Sequence, residues 1–177
     1  KKSDLYTRKT SLSFLNGICI SENGAADIPW RVITLGIPEN GIKSIQILNV
    51  ESTSYSEINI APIPRPYKDN KNLTNYAYDV DEQKYENSTM QSQKIYKLQN
   101  PDKFRDFNIQ LLMLTPFSYN NDNHTLTLHS KIKVQVIFEK SLISSVYERR
   151  SKLDRYNENF ILNYDIAKNW QTPQKTL

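Results

Sequence analysis

Residues 125–138 read Thr125-Leu-Thr-Leu-His-Ser-Lys-Ile-Lys-Val-Gln-Val-Ile-Phe138, and their alternation decides the fold class. Leu126, Leu128, Ile132, Val134, Val136 and Phe138 fall on one face at period two. Thr127, His129, Lys131, Lys133 and Gln135 fall on the other. One covered and one wet face is the pattern of a strand in an antiparallel sheet. His129, on the polar face, is expected to be solvated.

Upstream, 105–117 alternates Phe107, Ile109, Leu111 and Met113 against Asn108 and Gln110. It then turns apolar on both faces at Leu112 and Leu114, as a strand does when its burial deepens. The stretch Phe117-Ser-Tyr-Asn-Asn-Asp-Asn-His124 is rich in Asn and Asp, which favour turns, so 105–117 and 125–138 are expected to form a hairpin. Further out, 11–20 places Leu12, Phe14, Ile18 and Ile20 on one face. Residues 30–37 alternate Ile33, Leu35 and Ile37 before the turn Pro38-Glu-Asn-Gly41. Residues 42–60 read as a longer strand with a parity shift near Leu48 and a break at 52–56.

Two regions depart from the strand pattern. Residues 63–104, opening Ile63-Pro-Arg-Pro66, show no sustained periodicity, and a connection that long is expected to be functional or disordered. Residues 142–170 change to helical spacing through Leu153, Tyr156, Phe160, Tyr164 and Ala167, and again through Leu162, Ile166 and Trp170. Ser145-x-x-Glu148 reads as a capping box, and Asn157, Asn159 and Asn163 weaken the helix, so one helix or two short ones are expected. Strands first and helices last give a mainly β fold: an antiparallel β-sandwich over 1–141 with a C-terminal helical extension and linker over 142–177.

Composition narrows the function. The chain of 177 residues holds one cysteine (Cys19), two histidines (His124 and His129) and four glycines. Too few ligands exist for a Cys/His zinc cage, and Gly-rich phosphate loops are absent. No acidic pair stands in a catalytic frame, and Asp79-Val-Asp-Glu82 lacks the spacing of a calcium loop. Cys19 has no local base, and is expected to pack as a structural cysteine. Catalytic residues, metal sites and cofactors are therefore expected to be none. The net charge of +4 is spread among both signs, which argues against nucleic acid. No apolar run is long enough to span a bilayer, so membrane insertion is not expected.

The order of motifs resembles the N-terminal propeptide domain of gingipain-type cysteine peptidases, peptidase family C25. Gly24-Ala-Ala-Asp-Ile-Pro29, followed by strand 31–37 and Pro38-Glu-Asn-Gly41, is similar to the family's opening. Ile58-Asn-Ile-Ala-Pro-Ile-Pro64 resembles the stretch before its long loop. The most specific match runs from Arg105 through Thr115-Pro-Phe-Ser-Tyr-Asn120 to Lys133-Val-Gln-Val-Ile-Phe138, and Asn159–Trp170 resembles the joint to the catalytic domain. Ala26, Asp106 and Asn121 depart from the pattern, where the family has proline, glycine and proline.

The resemblance implies the prodomain of a secreted bacterial zymogen, exported through a type IX pathway or held in the periplasm, its signal peptide absent from this chain. Its implied partner is the cognate cysteine peptidase catalytic domain, lying beyond Leu177. The prodomain would assist folding of that domain and occupy its cleft until proteolytic removal. If the enzyme prefers basic residues, as gingipains do, the blocking residue is sought among Lys94, Lys97, Lys103, Arg105, Lys68 and Lys71, with Arg65 and Lys84 also in the segment. Arg149, Arg150 and Lys175 are candidate processing points. The alternatives are a secreted β-sandwich adhesion or carbohydrate-binding module, suggested by eleven tyrosines and two tryptophans, and a docking domain retained in a C25-type secretion-pathway signal peptidase.

Overall fold

The computed structural model describes residues 9–140 and 154–170. In chain order its strands are β1 (Lys9–Thr10), β2 (Arg31–Ile37), β3 (Ile42–Tyr55), β4 (Asn59–Ile60), β5 (Arg65–Lys68) and β6 (Thr74–Ala77). After helix α1 (Glu82–Ser92) come β7 (Tyr96–Leu98), β8 (Asp102–Phe104), β9 (Phe107–Leu114), β10 (Phe117–Asn120) and β11 (Thr125–Phe138). Helices α2 (Asp154–Phe160) and α3 (Tyr164–Ala167) follow, with a 3-10 turn at Lys168–Trp170. The architecture is the mainly antiparallel β fold with C-terminal helices that the sequence predicts. One sheet has the order β10-β11-β3, and another the order β2-β9-β7 with β8 also paired to β9. β5 and β6 form a separate hairpin, and β1 pairs with β4 in parallel.

The chain divides into two compact units that interleave along the sequence. The described residues of the first are 9–31, 51–95 and 115–131. Its core grows from the β10–β11 register, which sets Phe117 opposite Leu128 and Tyr119 opposite Leu126. These residues pack with Ala26, Ile28, Ile60 and Tyr85, and Leu12 and Phe14 close the edge of the cluster. Polar atoms in this core are paired: the Tyr85 hydroxyl donates to the Ile60 carbonyl at 2.7 Å, and that of Tyr119 to the Ile58 carbonyl at 2.8 Å. Paired in this way, each tyrosine is buried without leaving a bare donor.

The described residues of the second unit are 32–50, 96–114, 132–140 and 154–170. β9 lies at its centre and is covered on both faces. Leu112 joins Leu35, Ile37, Ile42, Ile45, Val136 and Phe138, a cluster drawn from both large sheets. Phe107 and Ile109 turn the other way, against Ile161, Tyr164 and Ala167. Double coverage is why β9 is apolar at both parities, and Gln110, buried on this strand, donates to the Gln99 carbonyl at 2.8 Å.

Several expectations are corrected. β11 pairs with β10 and β3, not with the segment that forms β9. The turn shrinks to 121–124, because Phe117–Asn120 is itself a strand. Residues 11–20 do not form a strand: Leu12 and Phe14 pack into the core, but Ile18 and Ile20 are exposed, and only an isolated bridge joins Ile18 to Trp30. β3 runs unbroken to Tyr55, and the break falls at 56–57, where Glu57 takes φ 61°. Residues 63–104 are not one loop but carry β5, β6, α1, β7 and β8. Their pattern was unreadable because these elements are short and several face solvent on both sides. Among the described residues the C-terminal helices are two short ones. The pattern breaks at 161–163, so Ile161, Tyr164 and Ala167 are buried while Tyr156, Phe160, Leu162 and Ile166 are exposed. The capping box at 145–148 lies outside the described residues.

Candidate functional site

The basic residues of 63–105 divide into those whose side chains are held by partners and those whose side chains have none among the described residues. β7 and β8 both pair with β9, forming one sheet edge interrupted at 99–101. Tyr96 and Leu98 turn into the Leu35–Leu112 cluster, which leaves Lys97, opposite Met113, pointing the other way with its side chain exposed. Lys103 stands opposite Asn108 and is likewise exposed. The interruption is fixed rather than loose: Gln99 donates its N–H to Leu111 at 3.0 Å and its side-chain amide to the Met113 sulfur at 3.1 Å. The tight turn from β8 to β9 puts Arg105 at φ 56°, where a non-glycine residue is strained by roughly 1–2 kcal/mol. Its guanidinium lies 5.5 Å from the centre of the Phe104 ring.

Lys94 follows the end of α1 and is exposed; its N–H donates to Gln91. Among the described residues no ion pair or hydrogen bond engages the side chains of Lys94, Lys97, Lys103, Arg105 or Lys71, although the backbone N–H groups of Lys71 and Lys103 donate to Asp69 and Asp102. By contrast, Lys84 lies 2.7 Å from Glu22 and 3.8 Å from Asp81, and the Glu22 hydrogen bond and charge raise its pKa. Arg65 lies 3.2 Å from Asp79, and Lys68 donates to the Thr74 hydroxyl at 2.7 Å. The acidic run 79–82 therefore serves this unit itself: Asp81 caps α1 by accepting from the Lys84 N–H at 3.2 Å.

The remaining titratable residues stand differently from expectation. His129 is buried to 9% exposure, not solvated. Ser52 lies 2.8 Å from its Nδ1 and Ser118 2.8 Å from its Nε2. Loss of hydration lowers its pKa. Period two showed which face His129 occupies, but serines 77 and 11 residues away cover that face. His124, in the turn, lies 3.2 Å from the Tyr119 hydroxyl.

Cys19 is at the surface, not in the core. Even so, partial burial of its thiol, a hydrogen bond with Asp27 and that carboxylate's charge push its pKa up to about 11, the reverse of nucleophilic activation. Among the described residues no group of three or more His, Cys, Asp or Glu side chains is placed to hold a metal. An open groove of about 550 Å³, lined by Glu82, Tyr85, Glu86, Met90, Asn120 and Asp122 among others, contains no nucleophile–base pair. Arg149, Arg150 and Lys175 lie outside the described residues. No described helix is long and apolar enough to cross a membrane.

The family model Propeptide_C25 matches residues 7–170. Among solved structures, a chain in the complex of Porphyromonas gingivalis RgpB pro- and mature domains is similar at TM-score 0.63 and 20% identity, over 87% of this chain and 79% of that one. A chain from the structure describing zymogenic latency of gingipain K from Porphyromonas gingivalis is similar at TM-score 0.51 and 13% identity, over 70% of each chain. At those identities the likeness is one of fold. No curated protein sequence matches.

Proposed function

The chain belongs to the C25 propeptide family and is the non-catalytic part of such a peptidase, and from that premise we propose that it keeps a secreted gingipain-like cysteine peptidase latent and assists its folding. The catalytic domain of the same precursor is the partner, and the chain is removed by proteolysis on activation. The observation that carries the reading is the set Lys94, Lys97, Lys103 and Arg105. These residues are exposed and, among the described residues, unpaired by acids, and Lys97 and Lys103 sit on an edge that β9 holds in place. Peptidases bind substrates as extended strands, and a sheet edge already has that conformation. A basic side chain on such an edge enters a specificity pocket for basic residues with little ordering cost. Pairing to β9 also resists the distortion that cleavage requires. Arg65 and Lys84 are poorer candidates, because entering a pocket would first break their ion pairs.

The test is the inhibition constant of this chain against its mature peptidase. Lys94, Lys97, Lys103 and Arg105 are changed to serine one at a time and then together. One single change is expected to raise the constant at least a hundredfold, with the thermal transition unchanged. If the fourfold variant still inhibits within twofold of the parent, 94–105 is not the blocking segment.

A further inference from the structure

The β5–β6 hairpin has a construction that latency through 94–105 does not use, and its interpretation rests on the prodomain reading above. It is a two-stranded sheet of its own, and such hairpins are marginal in water without further support. Its tip is nevertheless locked. The Asp69 carboxylate accepts from the N–H groups of Lys71 and Leu73, both at 2.9 Å, and from the Asn75 side-chain amide at 3.0 Å. The Asp69 N–H donates to Leu73, the Asn72 N–H donates to Asp69, and Asn72 sits at φ 60° to close the turn.

This fixed element leaves large apolar side chains in water. Leu73 is 60% and Tyr76 58% exposed, and Tyr67, Tyr78 and Val80 are exposed as well. The register places Pro66 opposite Tyr76, and Lys68 opposite Thr74, on one face, and Tyr67 opposite Asn75 on the other. Rigid, exposed aromatics lose little entropy when covered, and they anchor protein interfaces more often than other residue types.

The charges indicate the occupant. Both carboxylates of the hairpin segment are engaged internally, Asp69 by the turn and Asp79 by Arg65 at 3.2 Å. Lys68 meets only a neutral hydroxyl, and Lys71 has no side-chain partner among the described residues. The outward charge is therefore positive around exposed aromatic side chains, and the complement is an apolar recess rimmed by carboxylates. We propose that the β5–β6 hairpin is a docking arm, acting in addition to 94–105, whose exposed tyrosines on both faces insert into a carboxylate-rimmed apolar recess of the peptidase domain of the same precursor. Lys68 and Lys71 then steer association and do not enter the cleft.

The experiment uses the mature peptidase domain in two forms, one open and one with its cleft filled by a substrate-like chloromethyl ketone on the catalytic cysteine. The parent chain is expected to keep measurable affinity for the filled form. The Y67S/Y76S/Y78S variant is expected to bind that form at least tenfold more weakly, and Lys71→Glu to slow association most at low salt. Equal binding of parent and triple variant to the filled form would overturn the arm. So would loss of all parent binding once the cleft is filled, although the latency reading would survive it. If the parent neither binds nor inhibits the open form, the latency reading itself fails, and the arm with it. Because the triple variant can lose its hairpin, a photo-crosslinking residue is also placed at position 76 of the full precursor. A crosslink mapping to the peptidase domain supports the arm, and its absence refutes it.

Discussion

The side-chain amide of Asn163 pairs with both backbone groups of Gly36, donating from Nδ2 to the carbonyl at 2.8 Å and accepting the N–H at Oδ1, also at 2.8 Å. The neighbouring Leu162 N–H donates to Thr34 at 2.9 Å. β2 is the outer strand of its sheet, so residues 162–163 stand in for the strand it lacks. That pairing breaks the C-terminal helical pattern in two and seats Ile161, Tyr164 and Ala167 on β9.

Gly36 should tolerate no side chain. A Cβ there would fall 2.3 Å from the Ala167 Cβ and 3.1 Å from Ile161, and the first of these is attached directly to a helix backbone. Gly36→Ala is expected to destabilise the chain by about 2–3 kcal/mol in urea unfolding. Adding Ala167→Gly should recover part of that loss. Asn163→Ala, which strips the strand edge of its partner, should cost about 1–3 kcal/mol.

The hydrogen bonds of His129 make stability depend on pH. Ser118 donates its hydroxyl hydrogen to the Ser92 carbonyl at 3.0 Å, so its oxygen accepts from Nε2–H, and Nδ1 accepts from Ser52. The imidazole is held neutral, and its pKa lies below the unfolded value because burial disfavours the charged form. The unfolded chain therefore binds the proton more readily. Stability is expected to fall as the pH drops through about 6.5, and to level off below the folded pKa. His129→Gln should flatten this part of the curve when urea midpoints are compared from pH 5 to 8, and an unchanged slope would show that His129 does not cause it.

Cys19 should be slow to alkylate even though it is exposed. With its pKa near 11, the thiolate fraction at pH 8 is about a hundredth of that for a thiol at 9.0, partly offset by the greater nucleophilicity of the more basic thiolate. Iodoacetamide is expected to react roughly tenfold or more slowly than with an unhindered peptide thiol. Asp27→Asn should accelerate the reaction by removing the carboxylate's contribution. A rate equal to that of the free peptide would contradict the assignment.

Asp81→Ala removes the cap of α1 and one of the two carboxylates near Lys84. A loss of about 1 kcal/mol is expected, readable as a lower thermal midpoint. If Lys84 is only structural, Lys84→Ser should leave inhibition of the peptidase unchanged while the serine variants at 94–105 do not.

The sequence by itself determined that the chain is mainly β with helices at its end, that β2 and β11 are strands, and that the order of its motifs is that of C25 propeptides. Each of these is local or sequential information: period two marks a strand, and a series of turns and prolines survives without knowledge of contacts. It also named the exposed basic residues of 63–105. Only the tertiary structure decided that β9 pairs with β7, β8 and β2 and not with β11, because both partners offer the same alternation and pairing is settled by what covers each face. Only it showed His129 buried between two serines, Lys84 and Arg65 held by acids, and Lys97 and Lys103 exposed on a sheet edge. The physical reason is sequence distance. Asn163 finds Gly36 across 127 residues, and nothing in either neighbourhood encodes the other until packing brings them within 2.8 Å.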